Sequence, residues 1–296
     1  RLKLGEPCNF SDINITKEYL STINKIFIIA CGTAMHAGLT GKKFIENLCN
    51  IPVEVDIASE FRYRNPIIDE KTLCIFISQS GETADTIAAL KLSKSKGAKT
   101  LAVSNVIGSS ITREAIYTHA GPEIAVASTK AYTSQVVLLG ILAIYFAEIL
   151  ESTDSETLEN LKKDIFDLPK KIETSLKTSD EVKKFAKKIS KEKDVFFIGR
   201  GSDYNVALEG SLKLKEISYI HSEAYASGEL KHGPIALIEK GITVISILTD
   251  KNLLEKSISN IEEVITRGAK TFIVTNQDIE NSNFDNVVKI VSFFIL

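Results

Sequence analysis

Leu73-Cys74-Ile75-Phe76-Ile77-Ser78-Gln79-Ser80-Gly81-Glu82-Thr83 is the stretch that decides the fold. Five apolar residues run without a polar break into a turn of hydroxyl, amide and glycine residues, and the turn opens onto a helix predicted from about Thr83 through Leu92. Continuous rather than alternating apolarity marks a strand covered on both faces, which is the pattern of a parallel sheet between helices. The same succession appears upstream, where Ile26-Phe27-Ile28-Ile29-Ala30 leads into Cys31-Gly32-Thr33, and downstream at Thr100-Leu101-Ala102-Val103. This is βαβ rhythm.

The second half repeats the scheme with Val195-Phe196-Phe197-Ile198-Gly199 before Arg200-Gly201-Ser202, then Ile242 to Leu248, then Thr271-Phe272-Ile273-Val274. Gly97-Ala98-Lys99-Thr100 and Gly268-Ala269-Lys270-Thr271 are the same tetrapeptide, each closing a helix and opening a strand. The strands before them are separated by about the same distance, which a chance match of four residues would not require. The predicted architecture is α/β, with two duplicated, doubly wound, flavodoxin-like domains whose parallel sheets are flanked by helices. Residues 1–150 form the first domain and residues 194–296 the second. Residues 151–193 are predicted to be a helical connector, with Leu158, Leu161, Ile165 and Leu168 at helical spacing and the charge run as a solvated face.

A chain of 296 residues, 44% hydrophobic and 25% charged, is too long for one domain of ordinary size. Its formal charge of −2 leaves no footprint for nucleic acid or an anionic membrane, so a small-molecule partner is expected. The longest apolar run, Val136 to Ile149, is read as a buried helix that falls short of the roughly 20 residues a membrane span needs. Cys8, Cys31, Cys49 and Cys74 are widely spaced with no CxxC pair, so reduced, mostly buried thiols are expected, and neither a metal site nor a cofactor is implied. Arg1-Leu2-Lys3-Leu4-Gly5 lacks the layout of a secretory signal and has no initiating Met, so it reads as a cut end.

Ligands of open α/β sheets bind beyond the carboxyl ends of strands. Ser78, Gln79, Ser80 and Thr83 place hydroxyls, an amide and backbone N–H groups there, at a helix N-terminus that suits an anion. Without the Gly-Lys-Ser/Thr of a nucleotide P-loop, the anion expected is a sugar monophosphate; a plain capped helix is the competing reading. Glu82 then has to point away, stabilising the helix start. Thr33 and Ala127-Ser128-Thr129-Lys130 offer further hydroxyls in similar settings. In the second half, Glu209, Lys213 and Glu216 fall on one helix face, able to pass protons between sugar carbons and oxygens or, on spacing alone, to form an exposed Glu–Lys ladder. His232, before Gly233-Pro234, is a further candidate for proton transfer near neutral pH.

Six stretches carry a resemblance: Cys31-Gly32-Thr33; Val53-Glu54-Val55 with Ala58 to Arg64; Ile77 to Thr86; Val126 to Lys130; Leu208 to Tyr225; and Gly228 to Pro234. They closely resemble the isomerase region of the glucosamine-6-phosphate synthases, a pair of sugar isomerase (SIS) domains. The resemblance implies a cytoplasmic homodimer that makes glucosamine 6-phosphate from fructose 6-phosphate, with ammonia delivered by a glutaminase domain of the same parent chain. It implies phosphate binding at Ser78, Gln79, Ser80 and Thr83 and sugar lining at Thr33, Val126 and Ser128. It makes Glu216 the base moving a proton between C1 and C2, Lys213 its assistant at the C1 hydroxyl, and His232 a ring-opening group from the neighbouring subunit. Ala34 and Ala125 depart from the family's Ser and Gly. The glutaminase is expected before Arg1, and the imine-forming lysine of the tail beyond Leu296. A non-catalytic SIS sensor and a glutamine-independent SIS isomerase or deglycase are the alternatives.

Overall fold

The computed structural model describes residues 2–10, 13–112, 115–279, 284 and 286–292. The apolar run that ends at Leu296 lies outside the described residues, as does Arg1. The chain forms two compact units, Arg1–Ile165 and Phe166–Ile295.

In the first unit a short helix, α1 (Lys17–Leu20), leads into β1 (Lys25–Ala30), α2 (Thr33–Cys49), β2 (Val53–Ile57), α3 (Ala58–Phe61), β3 (Thr72–Ser78), α4 (Ala84–Ser95), β4 (Lys99–Ser104), β5 (Ala115–Tyr117) and α5 (Lys130–Leu150). The strands form one parallel sheet in the order β2-β1-β3-β4-β5. Its pleat sends alternate residues to opposite faces. Ile26, Ile28, Leu73, Ile75 and Ile77 join the core beneath α2 and α5, while Phe27, Ile29, Cys74 and Phe76 join the core beneath α3 and α4. Both faces are dry, which is why the strands read as unbroken apolar runs.

α5 corrects the length argument made from sequence. The helix has 21 residues, seven more than the apolar run suggested, and by length and composition it is long enough to cross a membrane. What covers it is the core: Leu139, Leu142, Ala143 and Phe146 are buried with α2 residues Ala37 and Ile45. The expected connector region consists of α6 (Ser155–Leu176) and α7 (Ser179–Ile189). Leu158 and Leu161 of α6 belong to the first unit's core, and Phe185 and Ile189 of α7 to the second unit's.

The second unit runs β6 (Asp194–Gly199), α8 (Ser202–Ser218), β7 (His221–Ala226), β8 (Thr243–Leu248), α9 (Leu254–Thr266), β9 (Lys270–Thr275) and β10 (Val287–Lys289). Its parallel sheet is ordered β7-β6-β8-β9-β10, which is the first unit's order strand for strand. The repeated tetrapeptide sits where predicted, running into the start of β4 and of β9, with Gly97 and Gly268 at φ 88° and 89°. Such an order places each unit's topological switch point beyond the first and third strands, where neighbouring connections leave to opposite sides and open a crevice.

Candidate functional site

Ser78 ends β3 and is buried, and the turn after it is held by its own hydroxyls. Ser78 Oγ accepts from the Gly81 N–H at 3.0 Å and lies 3.1 Å from Thr83 Oγ1, while Ser80 Oγ accepts from the Glu82 N–H at 3.2 Å. Gly81 has φ 68°, and a Cβ there would stand 2.0 Å from Ser109 Oγ, so only glycine fits the turn. Thr83 is the N-cap of α4 but makes no side-chain cap bond. The hydroxyls of Ser78 and Ser80 instead brace the turn just ahead of the helix.

Glu82 turns away from the cradle, as it must if the cradle takes an anion, yet it does not serve the helix start. Its carboxylate accepts from the N–H and hydroxyl of Ser110, both at 2.7 Å, tying the turn to the loop after β4. Those two bonds hold its pKa below the ordinary carboxylate value.

One cavity of about 330 Å³ is lined by all seven residues expected to bind substrate: Thr33, Ser78, Gln79, Ser80, Thr83, Val126 and Ser128. They come from three separate turns, after β1, after β3 and before α5, gathered at the switch point. Val126 is 91% exposed, a position at the rim. Ala34 and Ala125 also line the cavity, so the departures from the resembled pattern fall on the site itself.

Two lining residues were not found from sequence. Glu123 Oε2 accepts from Ser128 Oγ at 3.3 Å and from the Ala131 N–H at 3.1 Å, supplying the cap that Thr129 does not give α5. An acidic residue ahead of a helix was its signal. Gln135 is 2% exposed with no hydrogen-bond partner for its Oε1. Its signal was a lone amide at the head of an apolar run, and burial without a partner singles it out. A larger hollow, about 910 Å³, lies between residues 5–8 and the α5–α6 junction. Size misdirects there, because its buried cation is already satisfied: Lys162 Nζ is 2.6 Å from Glu148 Oε1 and donates to the Glu6 carbonyl at 2.7 Å.

In the second unit α8 holds the proton-transfer candidates. Lys213 Nζ lies 2.6 Å from Glu216 Oε2 and 3.4 Å from Glu209 Oε1. The exposed-ladder reading fails on burial: the side chains of Glu209 and Lys213 are 7% and 17% exposed, and that of Glu216 is 29% exposed. The half-buried ammonium bridges the two carboxylates and so fixes their orientation on one face of α8. His232 closes a 3-10 turn, Ser227–His232, and is exposed. Among the described residues it makes no hydrogen bond to Lys213 or Glu216.

Two doubly wound parallel domains of the same strand order, one with hydroxyls gathered at its switch point, define a duplicated open-sheet class of α/β protein. The chain belongs to the SIS domain family, whose model matches residues 19–145 and 188–284. It is similar along nearly its whole length to proteins named glutamine--fructose-6-phosphate aminotransferase [isomerizing]. The Clostridium tetani protein is 60% identical over 284 residues, covering 95% of this chain and 47% of that one. The Clostridium perfringens protein is 59% identical, covering 98% and 49%. The chain thus spans about half the length of these relatives. Among solved structures, the C-terminal domain of glucosamine-fructose-6-phosphate aminotransferase from Francisella tularensis aligns with a TM-score of 0.90 and 38% identity, covering 94% of this chain and 80% of that one.

Proposed function

We propose that the chain is the sugar-phosphate isomerising region of a glutamine-dependent aminotransferase that converts fructose 6-phosphate and glutamine to glucosamine 6-phosphate and glutamate. The observation that carries this reading is the single cavity in which turns from three parts of the sequence bring Thr33, Ser78, Gln79, Ser80, Thr83, Val126 and Ser128 together. Neutral donors at the N-terminus of α4 suit a phosphate dianion. Fixing the phosphate at one end of the sugar lets binding energy remote from the reacting carbons serve the reaction.

Glu216 takes the proton from C1 and returns it to C2, and Lys213, which its carboxylate holds at 2.6 Å, assists at the C1 hydroxyl. His232 opens the sugar ring. Its exposure on the Ser227–His232 turn supports its service to a neighbouring subunit, and hence a homodimer. Ammonia comes from a glutaminase domain of the parent chain, a reading supported by the aminotransferase relatives of about twice this length. Four free thiols support a cytoplasmic setting. Burial pushes Cys49 up to about 12 and Cys74 to about 11, so both stay protonated at neutral pH.

The test uses the parent protein with fructose 6-phosphate, and glutamine or ammonium, with glucosamine 6-phosphate and glucose 6-phosphate detected separately. Glu216→Gln is expected to abolish both products while leaving sugar-phosphate binding in place. Sugar interconversion that survives Glu216→Gln removes the assignment.

A further inference from the structure

The two domains match residue by residue at their switch points. Gly32 (φ 55°, ψ −131°) and Gly201 (φ 56°, ψ −125°) start α2 and α8, helices of 17 residues each that both end on a left-handed residue, Asn50 and Tyr219. The second residue of α2 is Ala34, and the second residue of α8 is Asp203. The third strands match as well. Ile77 pairs with Val103 and Ile247 with Val274, and the repeated tetrapeptide makes Val103 and Val274 equivalent. Thr249 and Asp250 therefore stand in the second domain where Gln79 and Ser80 stand in the first.

In the first domain the space between Ala34 and the Gln79–Ser80 turn is part of the cavity. In the second domain a carboxylate crosses that space. Asp203 is 2% exposed; its Oδ2 accepts from the Thr249 N–H at 2.8 Å and the Asp250 N–H at 3.4 Å, and its Oδ1 accepts from the Thr249 hydroxyl. The backbone is shaped to deliver it. A Cβ on Gly199 would stand 2.5 Å from the Asp203 carbonyl carbon, so α8 approaches its strand more closely than a side chain would allow. The matching residue of the first domain, Ala30, carries a Cβ.

We propose that Asp203 is a built-in anion: its carboxylate takes the donors of the second switch point, so the chain accepts sugar phosphate only in its first domain, and the small side chain of Ala34 keeps that first cradle open. The proposal rests on the reading that the β3–α4 turn binds phosphate. An incoming phosphate at the second switch point would meet occupied N–H donors and a buried carboxylate, a juxtaposition that opposes binding. Duplication supplied two crevices, and one side chain decides which of them binds.

The test titrates fructose 6-phosphate into the parent protein by calorimetry, with melting temperatures followed in parallel. Wild type should saturate at one sugar phosphate per chain. Ala34→Asp should keep its melting temperature and lose affinity by about 100-fold or more, whereas Ala34→Ser, which adds a hydroxyl without charge, should bind at least as well as wild type. In a Ser78→Ala, Ser80→Ala background, adding Asp203→Ala should bring back a rise in melting temperature with inorganic phosphate. Two sugar phosphates per wild-type chain, Ala34→Asp binding within about 3-fold of wild type, or no phosphate response on adding Asp203→Ala would each overturn the proposal. The underlying reading fails separately, if Ser80→Ala leaves the affinity unchanged.

Discussion

Replacing the two cradle serines one at a time separates a phosphate site from a strutted loop. Ser78 is 3% exposed and holds the buried Gly81 N–H, so Ser78→Ala strands that donor and should lower stability by about 1–3 kcal/mol. Ser80 is only half-buried and accepts one N–H, that of the exposed Glu82, which water can satisfy instead. Its loss should move stability by less than about 1 kcal/mol. Toward a bound phosphate the two should act alike, because a hydrogen bond to a charged group contributes about 1.5–3 kcal/mol, or roughly 10- to 150-fold in Kd. Calorimetric titration of fructose 6-phosphate beside thermal melts reads both quantities. Ser80→Ala is expected to lose at least about tenfold in affinity with its melting point nearly unchanged, and Ser78→Ala to lose on both counts. If Ser78→Ala melts lower while both variants bind like wild type, the hydroxyls are struts and the phosphate site is elsewhere.

Gln135→Leu exchanges a buried amide whose Oε1 is unpartnered for an apolar side chain of similar size, so the melting temperature should hold or rise while sugar affinity falls; unchanged affinity would show that the amide does not meet the substrate. Lys162→Met leaves the Glu148 carboxylate with the Cys8 N–H at 2.6 Å as its described partner, and should destabilise the first unit by about 3–5 kcal/mol, seen as a lower denaturation midpoint and faster proteolysis near residues 5–8. Glu82 has a folded pKa below its ordinary 4.5, so its contribution to stability is present above that value and is lost as pH falls through the lower folded one. Glu82→Gln should therefore flatten the stability curve on the acid side of about pH 4.5, and melts at several pH values in that range would refute this if the two curves stay parallel.

The fold was legible because burial on both faces leaves a direct trace in composition. Ile26 to Ala30, Leu73 to Ile77 and Val195 to Ile198 admit no polar residue, and the turns that follow them carry the hydroxyls. Duplication was legible from four residues because a helix stop and a strand start need the same glycine, at φ 88° and 89°, in both copies. The bounds of α5 were not legible, since its first turn, Lys130 to Ser134, mixes three polar residues with Ala131 and Tyr132 and breaks the apolar run before the true start.

Residue types and their order settled the architecture and pointed to six of the seven cavity residues, because strand ends and helix starts are local features that a sequence displays; Val126 came from the family resemblance alone. Four things needed the tertiary structure. Spacing left the Glu209–Lys213–Glu216 face open between a proton-passing set and an exposed ladder, and only the packing of α8 on its sheet buried Glu209 and half-buried its two neighbours. Glu82 could have capped its helix, but the loop after β4 supplied two closer donors. Gln135 was one polar residue beside an apolar run until burial left its carbonyl oxygen without a partner. Asp203 was an ordinary acid at a helix start. Its meaning comes from Thr249, 46 positions away, because hydrogen-bond donors from distant turns converge only when the chain has folded.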